Sequence, residues 1–230
     1  WRLQQLYDNK WANPYRTDIT PVVWKEIVGL TVWPMAPEYY RWANTTPSYG
    51  VEPEPLKVPY ERAFDKITFR ESLEREGPFL LLDGFGRGKH LHYDTNNLIK
   101  YHADGQDWLI DGDYLVRNTT EHNMISVIRD GRADQLVPPA ASLDAQADLD
   151  TCAFVRSTVA NYNGADWSRN VLWLKGVGFL LVDELKAAKE GDFRFENVFK
   201  HLDLGVQALT DGRIFTTLRP MAGGAGSRDL

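Results

Sequence analysis

The feature that most constrains the fold is a series of short apolar runs separated by Gly, Asp and Asn. In NLIKYH-ADGQ-DWLID two alternating runs meet at Asp104-Gly105, which is a strong signal for a β-hairpin. Similar runs follow in NMISVIRDGR, AFVRSTVANY, RNVLWL, GFLLVDEL, FRFENVFKHL and RIFTTL, whereas Ala140–Asp150 is predicted as a loop or short surface helix. About ten short strands without intervening helices predict an all-β protein, a large antiparallel β-sandwich rather than a parallel α/β sheet.

The N-terminal quarter of the chain has a different pattern. Asp18–Trp33 predicts a helix, because a capping residue and Pro21 precede apolar residues at helical spacing. The following stretch, 34–59, holds six of the twelve prolines and predicts an extended, partly rigid linker or wrapping segment. We therefore expect four regions: the helical end of a missing α-helical domain over 1–33, the linker over 34–59, the β-sandwich over 60–220 and a flexible tail over 221–230.

Composition excludes several classes of protein. The 230 residues carry a net charge of −6, which argues against general nucleic-acid binding because such binding needs a basic surface. Cys152 is the single cysteine, so no intrachain disulfide and no Cys-based zinc site can form. There is no run of 18 apolar residues, so we expect no membrane partner. The chain begins Trp-Arg-Leu without Met or a signal-peptide pattern, which is typical of a processed product or a piece of a longer protein.

One nine-residue motif, GKHLHYDTN (88–96), holds two of the five histidines. In an extended strand His90, His92 and Asp94 would share one face. Asp111 ends the run DWLID, and His122 precedes the next strand, so neighbouring strands would bring these groups together. Two imidazoles and a carboxylate can hold Zn²⁺. Solvated polar residues, or polar residues satisfied inside the core, are the other interpretation, and the residues alone leave both open.

The order of these motifs resembles the C-terminal β-sandwich of the heparinase II/III-like polysaccharide lyases. The resemblance extends from Phe64 to Leu202, through KITFRES, GPFLLLDGFGRGKHLHYDTNNLIKYHADGQDWLIDGDY, EHNMISVIRDGR and RNVLWLKGVGFLLVDELKA. It implies a super-β-sandwich that follows an α-helical toroid, with the active cleft between the two. It also implies β-elimination of uronic-acid polysaccharides, in which a base removes the C5 proton and an acid protonates the leaving oxygen.

The resemblance assigns roles to individual residues. His90 matches the catalytic histidine of the family, and Tyr114 is the nearest candidate for a second acid or base. A structural zinc is implied, with His92, Asp111 and His122 as its ligands. Two further pairs complete the predicted site: Asp94 and Asn96 as hydrogen-bonding orienters of the histidines, and Arg87 and Lys89 as partners of a substrate carboxylate or sulfate.

The implied partners are an acidic polysaccharide and the toroid domain of a full-length chain or further copies of this chain, and the implied location is the periplasm or the exterior of the cell. The isolated chain is then incomplete as an enzyme. A non-catalytic carbohydrate-binding or scaffold sandwich that keeps the metal site is the alternative, favoured by the missing toroid and by Asp113, an extra carboxylate in Asp111-Gly112-Asp113-Tyr114. A metal-dependent hydrolase built on His92, Asp111 and His122 is a third interpretation.

Overall fold

Two antiparallel sheets form the body of the molecule. The computed structural model describes residues 28–45, 56–74, 76–86, 92–111, 119–133 and 136–200, together with the backbone of 206–208 and 215–217. The first sheet has five strands in the order β1-β2-β3-β4-β5: Gly29–Pro34, Phe64–Arg70, Phe79–Asp83, Leu98–Ala103 and Gln106–Ile110. The second has four strands in the order β10-β9-β8-β7: Gly178–Ala187, Ala165–Leu174, Cys152–Tyr162 and Ser142–Asp148. Two short pairs complete the described strands: β6 (Ile125–Arg129) with β11 (Phe193–Asn197), and β12 (Val206–Ala208) with β13 (Phe215–Thr217).

A shared apolar core joins the two large sheets. Alternate residues of β8 and β9 point inward, as expected for strands with one buried face. Phe69 of the first sheet contacts Trp173 of the second edge-to-face, with ring centroids 6.2 Å apart. Phe179 stacks on Trp173 and meets Tyr101 of β4 edge-to-face. These contacts confirm the predicted all-β sandwich.

The predicted hairpin is present and has the expected turn. Asp104 and Gly105 have φ values of 53° and 71°, and β4 pairs with β5 on either side of them. Two consecutive residues with positive φ form a type I′ turn, whose twist matches that of the flanking strands. The strand order β1 to β5 is therefore a simple meander, in which the end of each strand lies beside the start of the next.

The predicted helix over Asp18–Trp33 is wrong in its described part. Gly29–Pro34 is strand β1, paired antiparallel with β2, and residues 18–27 lie outside the described residues. Leu30 and Val32 pack against the core, while Trp33 faces the other way and its Nε1 donates to Thr68 Oγ1 at 3.3 Å. Pairing with an exposed sheet edge outweighs the helical spacing, because β-branched and aromatic residues favour strands.

Two other segments contain elements that the sequence did not predict. The proline-rich stretch contains a helix, α1 (Pro37–Thr45), which begins at a proline because the first helical position needs no N–H donor. Met35 and Val58, on either side of this helix, pack with Ala140 in a second small core, so the described part of the stretch is folded onto the sandwich. Ser142–Asp148 is edge strand β7 rather than a loop or helix, since its polar residues are tolerated where one face meets solvent.

Candidate metal centre

A tight turn after strand β3 holds the first acidic group of the site. The backbone of Asn96 donates to the carbonyl of Asp83 at 2.8 Å, and Asn97 N–H donates to Asp94 O at 3.1 Å. Gly86 lies against this turn so closely that a Cβ on it would stand 2.7 Å from Thr95 N, which explains a glycine at this position. The turn buries Asp94 to 5% exposure beside the end of β3.

Asp111 and His122 converge beside that turn. Asp111 follows β5 directly, and His122 precedes β6. His122 Nδ1 lies 2.8 Å from Asp111 Oδ1, and His122 is fully buried. Its other ring nitrogen, Nε2, lies 3.1 Å from the backbone carbonyl of His92. Since a carbonyl can only accept, Nε2 carries the proton and Nδ1 is the nitrogen that faces the carboxylates.

Asp94, Asp111 and His122 together form a group that can hold a cation. One ligand atom from each lies within 4.8 Å of the other two. Two ligands of one ion at about 2.0–2.4 Å from it are at most about twice that distance apart, so the spacing fits one bound ion. A histidine that donates its second N–H to a backbone carbonyl is the usual arrangement of a metal ligand, because the carbonyl fixes the tautomer and the ring orientation.

Electrostatics around the group favour a positive ion. Asp83 is 4% exposed and accepts from Lys66 Nζ at 2.8 Å and from Phe85 N at 3.0 Å. Burial and the nearby Asp94 raise the pKa of Asp83 to about 7, against the opposing charge of Lys66. Burial raises the pKa of Asp94 to about 6, with Asp111 adding to the effect and His122 opposing it. Three carboxylates against Lys66 and a protonated His122 still leave an excess of negative charge, which a divalent cation would offset.

The same carboxylates also raise the pKa of His122. Burial lowers its pKa, but the hydrogen bond and charge of Asp111, the charge of Asp94 and the carbonyl of His92 outweigh burial and raise the pKa above its ordinary value. A proton and a metal ion compete for the same nitrogen, so both are attracted by the same carboxylates.

The sequence prediction and the structure overlap in part. Asp111 and His122 lie together, as predicted, whereas Asp94, expected as an orienter, supplies an oxygen to the group. His92 contributes its backbone carbonyl, and the role of its side chain as a ligand stays a prediction. Asn96 has a different partner from the predicted one, because its Oδ1 accepts from Ser157 Oγ at 2.6 Å.

Other predicted residues lie outside the described part of the chain. Among them are the proposed catalytic residues His90 and Tyr114 and the proposed substrate-binding residues Arg87 and Lys89. Their roles stay predictions. The extended strand assumed for the motif is wrong over 92–94, since Tyr93 has a φ of 59° and the described part of this segment is loop.

Sequence reasoning missed the supporting residues of the site. Asp83 ends an apolar run just before Gly84 and Gly86. A carboxylate at the end of such a run is the sequence signal that could have marked it as part of the site. Arg169 is a single charged residue among the inward-facing, alternating apolar positions of β9 and is fully buried. A charge on the inner face of a strand requires partners, so it marks a polar network inside the core.

Comparison with solved structures identifies a heparinase III with a similar fold. A heparinase III, the BT4657 gene product with methylated lysines, superposes with a TM-score of 0.56 at 14% identity, over 79% of this chain and 31% of that one. The unmethylated form of the same protein gives a TM-score of 0.55, also at 14% identity, over 76% of this chain and 30% of that one. The fold resembles that of heparinase III. Heparan sulfate lyase HepC from Pedobacter heparinus matches at a TM-score of 0.47 and 18% identity, over 63% of this chain and 24% of that one.

These matches concern only part of the larger enzymes, since the chain spans less than a third of the heparinase III that it superposes on. No family model and no curated protein matches the sequence. Among the described residues, no helix has the length and apolar character needed to cross a membrane.

Proposed function

We propose that this chain is the β-sandwich part of a polysaccharide lyase that acts on uronic-acid polysaccharides by β-elimination, and that it needs a helical domain to complete the active cleft. The observation that supports this best is the heparinase III-like architecture, combined with an acidic and histidine-containing group that includes Asp94, the aspartate of the H-x-H-x-D motif. In this proposal the 87–91 segment supplies His90 as the cleft base or acid, with Arg87 and Lys89 beside the substrate carboxylate or sulfate. Export from the cytoplasm is part of the same proposal.

The group of Asp94, Asp111 and His122 has a structural role in this proposal. A resident zinc or similar divalent ion would be held by these side chains, with His92 as a further predicted ligand, and it would neutralise the buried carboxylates. His122 is fully buried and Asp94 is 5% exposed, so a polysaccharide has no access to them. A catalytic metal needs an open position that substrate can reach, which argues against the metal-dependent hydrolase.

The test is lyase activity of a full-length protein on a panel of uronate polymers, followed by the ultraviolet absorbance of unsaturated uronides. We expect product from the unaltered protein and a loss of at least about a hundredfold in kcat for His90→Ala, since general acid–base groups contribute on that scale. His102→Ala is the matched control, because His102 lies on strand β4 and is bonded to Asp107 of the neighbouring strand β5.

Two outcomes would contradict the proposal in different ways. Full activity of His90→Ala would show that the catalytic assignment is wrong. Binding of acidic glycans by the full-length protein, without product from any polymer, would favour the non-catalytic carbohydrate-binding sandwich instead.

A further inference from the structure

Each of the three side-chain nitrogens of the buried Arg169 donates to an acceptor. The side chain is fully buried on the inner face of β9. Its Nε and Nη2 donate to the two carboxylate oxygens of Asp183 at 2.9 and 3.0 Å. Its Nη1 donates to two backbone carbonyls, those of Asn96 and Asn123, each at 2.9 Å. The ion pair with Asp183 compensates the charge, and the two carbonyls accept from Nη1.

The two carbonyls belong to the two loops that form the candidate metal centre. Asn96 follows Asp94 by two residues, and Asn123 follows His122 directly. The loops are also joined to each other, because Asn123 N–H donates to Asn97 Oδ1 at 2.8 Å. One Arg169 nitrogen therefore holds both loops at a fixed separation from the four-stranded sheet.

We propose that Arg169 is a positioning residue that sets the distance between Asp94 and His122, so that their ligand atoms are spaced for a cation before the cation binds. This inference rests on the proposed cation site. The planar guanidinium suits the task, since it offers donors in a fixed fork and can satisfy a carboxylate and two carbonyls at once. A lysine at this position would keep the charge for Asp183 but could not reach the same set of acceptors.

The test compares Arg169→Lys with Arg156→Lys. Arg156 lies on the same sheet and also binds a carboxylate with two nitrogens, that of Glu184, but on the exposed face. Zn²⁺ is titrated calorimetrically into each metal-free chain, and hydrogen exchange is followed in segments 94–98 and 122–124. For Arg169→Lys we expect Zn²⁺ affinity at least about tenfold weaker, as when the groups that orient metal ligands are removed, together with faster exchange in both segments. Arg156→Lys should change neither.

The outcomes separate this inference from the cation site itself. If the unaltered chain binds Zn²⁺ and Arg169→Lys binds it equally well, the positioning role is wrong and the site stands. If the unaltered chain binds no Zn²⁺, the cation site is wrong, and the exchange data decide the rest: faster exchange limited to the two segments supports Arg169 as their clamp, and unchanged exchange overturns it.

A measurement on the unaltered chain covers the case in which Arg169→Lys does not fold. A guanidinium bonded on both nitrogens Nη1 and Nη2 cannot rotate freely, so the Nη protons of Arg169 should give separate, slowly exchanging NMR signals. Those of Arg194 are the control, since its side chain is 70% exposed and pairs with Glu196 through Nη2. A single averaged signal for Arg169 would overturn the inference.

Discussion

The two faces of the four-stranded sheet carry the same kind of ion pair in opposite environments. Asp183 and Glu184 are consecutive residues of β10, so their side chains point to opposite faces. Asp183 binds Arg169 inside the core, where the arginine is fully buried. Glu184 binds Arg156 on the outside, at 55% side-chain exposure, with Asn170 between them. Bidentate geometry alone therefore does not define the role of an arginine–carboxylate pair.

The difference lies in what else each arginine contacts. Arg156 adds a bond to Asn170 and lies in water that screens its charge, so the pair is an exposed cross-strand contact. Arg169 lies over the Trp167 ring and is bonded to two loop carbonyls, while Trp167 Nε1 donates to Asp183 at 2.8 Å. Burial makes the inner pair costly to break. The bonds from Arg169 to the carbonyls of Asn96 and Asn123 also link the sheet to the two loops.

The largest expected effect comes from breaking the inner pair. Asp183→Ala would leave Arg169 as an uncompensated buried charge and Trp167 without its acceptor, so we expect the free energy of unfolding to fall by roughly 3–5 kcal/mol. Urea unfolding followed by circular dichroism measures it. Glu184→Ala is the control on the outer face and should unfold at nearly the same urea concentration as the unaltered chain. Equal losses in the two variants would contradict the comparison.

A second, smaller effect should come from the cation. Zn²⁺ at a free concentration about a hundred times its Kd should add about 3 kcal/mol to the free energy of unfolding, because it binds the folded state. Asp111→Ala should abolish this gain, and EDTA should reverse it. Glu184→Ala, which removes a carboxylate outside the centre, should leave the gain unchanged; a similar loss there would point to nonspecific binding of the metal.

The smallest effect concerns pH in the metal-free chain. Because the folded pKa of Asp83 is raised to about 7, the folded state holds a proton that the unfolded state has released, and stability falls as pH rises from about 4 to 7. Asp94, at about 6, and His122, whose pKa is also raised, act in the same direction. Between pH 5 and 7, we expect Asp83→Asn to lose less of its free energy of unfolding than the unaltered chain does, by on the order of 1 kcal/mol. Unfolding measured at each pH gives this difference.

The outer face should respond to pH in the opposite sense. The hydrogen bonds from Arg156 lower the pKa of Glu184, so its contribution is present above the unfolded pKa and is lost only as pH falls through the acid range. Glu184→Gln should therefore keep the slope of the unaltered chain between pH 5 and 7. A flattened slope in this variant would show that Asp83 and Asp94 are not the source of the slope.

The sequence was sufficient where structure depends on neighbours along the chain. The alternation of β4 and β5 around Asp104-Gly105 predicts the hairpin that the structure contains, because turn geometry and side-chain alternation are local properties. It failed for Gly29–Pro34, whose helical spacing was outweighed by pairing with β2. It also failed for Ser142–Asp148, whose polar composition is compatible with an edge strand only because β8 lies beside it.

The same division applies to the candidate site. The sequence by itself determined the all-β class and marked Asp111 and His122 as residues that would meet, since each adjoins a predicted strand. Only the tertiary structure decided that Asp94 joins them, because a turn with Tyr93 at positive φ breaks the alternation on which the sequence argument depended. It alone also decided that Arg169, 73 positions beyond Asn96, supports the loop from the opposite sheet. Contacts between sheets depend on how the strands stack, and no periodicity along a single strand encodes that stacking.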